Sequence, residues 1–430
     1  MMVKGTHHRG TEGTEGAQRK LKPSHYSPPL PTDTGGKVGL RCAAKLSKPD
    51  RRPGLYCAGV SIFPRALFWP PRVSLMSSHA SNAKIPRPAP LVEVRRGGVV
   101  ESRHRGHVAA VDGDGRIVAR LGEPETVTYL RSSAKPHQAI PLVATGAADR
   151  FQLTPPEIAV ACGSHSGEAV HEETVAAMLR KIGLDESALK CGAHEPFDRA
   201  TALEMRRRNE PPRVLQNNCS GKHTGMLAVA VHLGALTATY DHPDHPVQQL
   251  ILKTVAQFSG LRAGEIARGT DGCGVPVFGM PVRAMALMYA RLVTPGGELD
   301  ERTRAACGSI LAAMTSVPEM VGGTSERLDT EMMRATAGRV ISKVGAEGVY
   351  TVGVLPSARW PRGLGLALKI EDGEDRRARP TVVIESLRQL GALDPAALEA
   401  LRPYSSFPVQ NHRGDRVGEV RANFELEMLD

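Results

Sequence analysis

Aromatic residues make up only 4% of this 430-residue chain, which argues against a surface that stacks nucleic-acid bases on aromatic rings. No uninterrupted apolar run is long enough to span a bilayer, so no membrane partner is expected. Neither GxGxxG nor GxxxxGKS/T occurs, and nothing marks a dinucleotide or P-loop site. Cysteine is sparse, odd in number and widely spaced, at positions 42, 57, 162, 191, 219, 273 and 307. Without a convincing secretory signal, that pattern reads as reduced thiols in a cytoplasmic protein. The twin arginine in "DRRPGLYCAGVSIF" lies too deep in the chain and is followed by Pro64 and Arg65, so export is discounted.

Acidic residues are nearly missing from one end. Residues 1–90 carry 15 Lys and Arg against 4 Asp and Glu. From residue 91 onward, 40 basic residues meet 41 acidic ones. The net charge of +10 therefore belongs to the N-terminal stretch, and the remainder offers no basic footprint for nucleic acid. Residues 1–88 are rich in Pro, Gly, Ser and basic residues and lack a sustained period, so they are expected to be a disordered tail. A start site at Met76 is the plainer alternative. Residues 89–430 are expected to form one catalytic domain.

What is present from residue 90 has a clear order. "HVAAVDGDGRIVARLG" is two apolar runs around a Gly/Asp turn, the signature of a hairpin. A long helical middle follows. Thr154 and Glu157 form a candidate capping box, and "EAVHEETVAAMLRKIGL" carries a helical stripe that stops at Gly183. "GMLAVAVHLG" is apolar nearly all round and predicts a buried central helix. Further helices are expected near 246–258, 281–293, 300–316 and 326–336. Strand texture returns in "GRVISKVGAEGVYTVGVLP" and "GLGLALKIEDG", then a helix in "RPTVVIESLRQLGAL" and a last strand in "RVGEVRAN". Strands, helices, strands predict an α/β (α+β type) architecture: a mainly antiparallel sheet from both chain ends with an inserted helical subdomain.

Chemistry enters with "YLRSSAKPHQAIPL", where Ser132 and Lys135 share one face if a helix begins there. A serine hydroxyl needs a base to become a nucleophile, and a buried lysine can lose its charge and serve. Ser-x-x-Lys alone is weak, since Ser81 and Lys84 repeat it in the tail. Pro136 also disfavours helical geometry at Lys135. Ser164 in "CGSHSGE" and Lys343 in "SKVGAEG" complete an order of motifs used by serine β-lactamase-like enzymes. In "QNNCSGKHTGMLAVAV", Cys219 and His223 stand at i, i+4, a spacing suited to a metal, with Cys273 as a further donor. Buried thiols that merely pack are the blander reading.

As a set, "LRSSAKPHQAIPL", "CGSHSGE", "NNCSGKHTGML", "GTDGCGVPVF" and "SKVGAEGVY" resemble the bacterial serine–lysine asparaginases, the asparaginase II family, over about residues 90–428. That family resembles serine β-lactamases and glutaminases in fold. The resemblance implies hydrolysis of L-asparagine to L-aspartate and ammonia. It matches Ser132 with the nucleophile, Lys135 with its base, and Ser164 with Lys343 as a second pair. It further implies a modulatory zinc at Cys219, Lys222 and Cys273, substrate contacts from Arg131, His223 and Asp271, and a homodimer. Thr270 in "GTDG" imitates the threonine asparaginases, but their Thr-Gly-Gly-Thr turn is missing, so it is read as a loop residue. A β-lactamase or peptidase, a zinc hydrolase at the same site and a non-catalytic amino-acid sensor are the rival readings.

Overall fold

The computed structural model describes residues 87–429. The expectations for residues 1–86 lie outside the described residues. Twelve strands are formed among those described: β1 Ala89–Arg96, β2 Val99–Asp112, β3 Ile117–Leu121, β4 Val127–Tyr129, β5 Ala267–Thr270, β6 Pro276–Pro281, β7 Val340–Val344, β8 Val349–Val354, β9 Leu364–Ile370, β10 Ser406–Gln410, β11 Arg416–Ala422 and β12 Glu427–Met428. The main sheet runs β10-β11-β1-β2-β9-β8-β7, with β3 and β12 branching from β2. Every pairing is antiparallel. Nearly all of the helices lie between β4 and β7, so the sheet is assembled from both ends of the chain with the helical region inserted, as the sequence predicts.

The strand β2 shows why the sheet has two covered faces. Its first half alternates exposed and half-buried residues, and its second half is buried throughout. Along that second half, Ala109 and Val111 join one apolar core while Val108 and Ala110 join the other. Alternate side chains of a strand point to opposite faces, so a strand buried on both faces needs helices on each side. The helix Val282–Val293 packs across β2, β8 and β9, and the helix Ala378–Gln389 packs on β1, β8, β9 and β11. Gly365 permits the first approach, because a Cβ there would stand 1.9 Å from the Ala286 carbonyl oxygen.

Local expectations meet three differences. A second, three-stranded sheet β4-β6-β5 was not foreseen, and it corrects the reading of Thr270 as a loop residue. Thr270 ends β5 and pairs with Pro276. Pro136 does not keep Lys135 out of helical geometry. Lys135 sits at φ −59°, ψ −41°, and the prolines occupy first turns of two short helices, Lys135–Gln138 and Ile140–Ala144, where a missing N–H costs nothing. Strands β1, β10 and β12 add to the strands read from sequence. The expected capping box is formed, with the Thr154 N–H donating to Glu157 Oε2 at 2.6 Å.

Candidate active site

Segments far apart in sequence converge on one cavity of about 660 Å³, whose lining includes Ser132, Ser164, Asn218, Asp329, Tyr350 and Arg379. Ser132 belongs to a tight turn, Arg131–Ala134, set between β4 and the helix at Lys135. The residue before it is held at φ +51°, a backbone region that ordinary side chains rarely adopt. Arg131 is pinned there by Asp271, whose Oδ1 accepts from its Nε at 2.8 Å. Ser133 does not cap the helix. Its hydroxyl donates to the Leu130 carbonyl at 2.6 Å, and Tyr289 Oη donates to the Ser133 carbonyl from below. Gly345, at the mouth of the β7–β8 hairpin, leaves room for this turn: a Cβ there would lie 2.8 Å from the Leu130 carbonyl oxygen.

Lys135 is fully enclosed. Its Nζ donates to Ser164 Oγ at 2.9 Å and to the Asn218 carbonyl at 3.0 Å. Burial lowers its pKa, the Cys219 thiol beside it acts the other way, and Lys222 lowers it again. Ser164 is fixed by its backbone, the N–H donating to the Val321 carbonyl and the carbonyl accepting from Arg327 at 2.7 Å. Lys343 stands on β7 with no exposed surface and faces Asp329 Oδ2 at 3.3 Å. Burial brings its pKa down to about 7, against the pull of Asp329 and with the help of Lys135. The lysine that holds Ser164 is therefore Lys135, and the partner of Lys343 is a carboxylate.

Behind Lys135 lies a cluster of sulfur and nitrogen. Cys219 opens the central helix Ser220–Leu233, which is almost wholly buried. Lys222 Nζ donates to Cys273 Sγ at 2.9 Å, and the Cys219 and Cys273 thiols are in hydrogen-bonding contact. That contact lowers the Cys219 pKa; burial opposes it and both lysines reinforce it. Burial acts to lower the pKa of Lys222, but the two thiols overcome it and raise it. Two buried thiols and an amine form a donor set of the soft type that suits zinc. His223 is not part of it. Its Nδ1 meets Tyr240 Oη at 2.6 Å, and among the described residues no three Cys, His, Asp or Glu side chains converge on one point. Asp271 reaches Arg131 and the Gly272 N–H; burial raises its pKa, but Lys222 and Arg131 bring it below the ordinary carboxylate value.

Three cavity residues lie outside the site motifs: Arg327, Asp329 and Arg379. Arg327 Nη1 donates to Ser166 Oγ at 2.8 Å and, with its bond to Ser164, clamps the serine loop. No spacing rule links residue 327 to 164.

The profile of the L-asparaginase II family matches residues 92–422. The chain belongs to the L-asparaginase II family. No curated protein matches it. Among solved structures it is similar to a probable glutaminase from Bacillus subtilis complexed with 6-diazo-5-oxo-L-norleucine, at 14% identity and TM-score 0.32, over 67% of this chain and 85% of that one. It is also similar to a β-lactamase from Burkholderia vietnamiensis, at 15% identity and TM-score 0.29, over 70% of this chain and 92% of that one. The overlap with both is loose, and membership of the family rests on the profile.

Proposed function

The family and the cavity together describe an amide hydrolase; we propose that its substrate is L-asparagine and its nucleophile Ser132. The observation that supports this most is the enclosed Lys135, three residues after the cavity-lining Ser132, whose Nζ donates to the Ser164 hydroxyl and the Asn218 carbonyl and whose pKa burial lowers against the pull of the Cys219 sulfur. Burial makes such a lysine easier to deprotonate than an exposed one, and the neutral amine can take the proton of a serine. Ser132 Oγ attacks the side-chain amide carbon as its proton passes to Lys135. The C–N bond then breaks, and the departing nitrogen takes a proton through Ser164 and leaves as ammonia. Water then attacks the Ser132 acyl ester as its proton passes to Lys135 Nζ, and the ester C–O bond breaks as Lys135 returns that proton to Ser132 Oγ, releasing L-aspartate. The oxyanion meets the backbone N–H of Ser132, at the start of a turn where such groups lack internal partners. Lys343 is a second amine able to exchange protons near neutrality.

Cys219, Cys273 and Lys222 would hold a zinc ion, with Lys222 giving up its proton to do so. When bound, the metal supplies positive charge beside Lys135 and ties the central helix to the β5–β6 hairpin; no chemical step runs through it. A cytoplasmic setting is supported by the five described cysteines, all free and buried. Among the described residues no helix is long and apolar enough to cross a membrane. The homodimer that the family resemblance implies is tested by sedimentation at several concentrations.

The deciding test is ammonia release from L-asparagine and L-glutamine by the wild type and Ser132→Ala, both shown to be folded. Release from asparagine by the wild type alone sustains the proposal. Equal release by both removes Ser132 as nucleophile, and a preference for glutamine replaces the substrate.

A further inference from the structure

Two residues that line the cavity, opposite in charge, each keep one buried polar atom without a partner. Asp329 is 2% exposed. Its Oδ2 accepts from Lys343 Nζ at 3.3 Å and from the Val344 N–H at 3.2 Å, while its Oδ1 accepts nothing. Arg379, at the start of the helix Ala378–Gln389, uses Nη1 on the Gly345 carbonyl at 2.8 Å and on Asp375, while its Nε donates to nothing. Both residues line the cavity that holds Ser132, and Tyr350 and Arg327 each feel the charge of both.

A buried carboxylate oxygen or guanidinium N–H without a partner is costly and seldom kept without a use. A carboxylate and a guanidinium that each keep one hydrogen-bonding atom spare in the lining of one cavity complement a molecule carrying both charges. The rest of the lining has the same balance, with Glu326 and Asp375 against Arg327 and Arg376. We infer that Asp329 receives the α-ammonium group and Arg379 the α-carboxylate of a free amino acid whose side-chain amide reaches Ser132. The inference rests on the amide-hydrolase reading of the Ser132 site and adds the selection rule: the site takes a zwitterionic α-amino acid and discriminates against amides lacking either charge. Asp329 thereby serves two amines, that of Lys343 and that of the substrate.

Three amides separate the two contacts: L-asparagine, succinamate, which lacks the α-ammonium, and β-alaninamide, which lacks the α-carboxylate. Because Asp329 also touches Lys343, a rate alone does not distinguish binding from a disturbed base, and the readout is a ratio of kcat/KM values. Asp329→Asn should cut the preference for asparagine over succinamate by about ten- to a hundredfold, the loss expected for a charged hydrogen bond. Its preference for asparagine over β-alaninamide should stay. Arg379→Gln should do the reverse. Variants that slow all three amides in equal proportion would show a structural role and overturn the inference. Calorimetric binding of L-aspartate, succinate and β-alanine to the wild type, Asp329→Asn and Arg379→Gln reads the same contacts without turnover. If the wild type releases no ammonia from asparagine yet binds L-aspartate well above the other two, with the crossed losses in the variants, the hydrolase reading fails and the head-group contacts stand. If it binds all three alike, the contacts fail whatever the activity.

Discussion

Lys135 and Lys222 are both buried, both neighbour the Cys219 thiol, and have opposite tendencies. Lys135 donates to a hydroxyl and a carbonyl, which stabilise its charge weakly, and burial lowers its pKa. Lys222 lies against two thiols with Asp271 nearby, and these outweigh burial and raise its pKa. Lys343, with one carboxylate at 3.3 Å, is brought by burial to a pKa of about 7. Depth alone does not make a lysine a base. Burial and nearby anions compete over the amine's proton, because desolvation disfavours the charged form and a close anion favours it. On the proposed reading, the cavity side of this cluster transfers protons and the thiol side holds a cation.

The comparison breaks most visibly at the serine. Ser132→Ala and Lys135→Met should each lower kcat for asparagine by at least about a thousandfold, since the nucleophile and its base act as a unit. The double variant should be no slower than either single one. Rates that multiply in the double variant would separate the two residues and leave Lys135 as a packing group. Next in size is Lys343→Met, expected to cost about a hundredfold as a general-base contribution. Neutral Lys343 prevails above about pH 7, so the wild-type rate should climb as pH passes 7. The variant should lack that limb, and an unchanged profile would remove Lys343 from proton transfer.

The sequence carried the strand–helix–strand order, the hairpins, the capping box and the segments that bring Ser132, Lys135, Ser164 and Lys343 together. Periodicity and turn chemistry are local, and so is each motif. The partners of those residues are not local. Asp329 sits 14 residues before Lys343, on a short helix, and Arg327 reaches back 163 positions to Ser164. No spacing rule spans such distances. His223 shows the converse limit: i, i+4 spacing puts it on the face of Cys219, yet its ring turns to Tyr240, 17 residues on. Spacing fixes a side chain's face and leaves its partner open.

On the thiol side the expected effect on rate is smaller. With the proposed zinc bound, dialysis against a strong chelator should lower kcat by no more than about tenfold, because the proposed mechanism routes no chemical step through the metal. It should also lower Tm, since an ion held only by the folded state stabilises it by mass action. Abolished activity, restored by zinc alone, would move the chemistry from Ser132 to the metal.

The smallest effect sharpens the comparison from the side of stability. A lysine of ordinary pKa 10.5 in the unfolded chain and about 7 in the fold binds more protons when unfolded anywhere between those values. Stability then rises with pH across that window, because the unfolded state has protons to lose that the folded state has already shed. Below about pH 7 both states are protonated and the cost of burying the charge is borne in full. Methionine at position 343 has no such titration. The Tm of the wild type minus that of Lys343→Met should therefore increase by a few degrees between pH 6 and pH 9, measured in one buffer series. Asp329 opposes this trend by keeping some charge on the amine, so Asp329→Asn should move the rise to lower pH. A difference that stays flat from pH 6 to 9 would mean that Lys343 keeps its proton in the fold, and it would then belong with Lys222 as a paired cation.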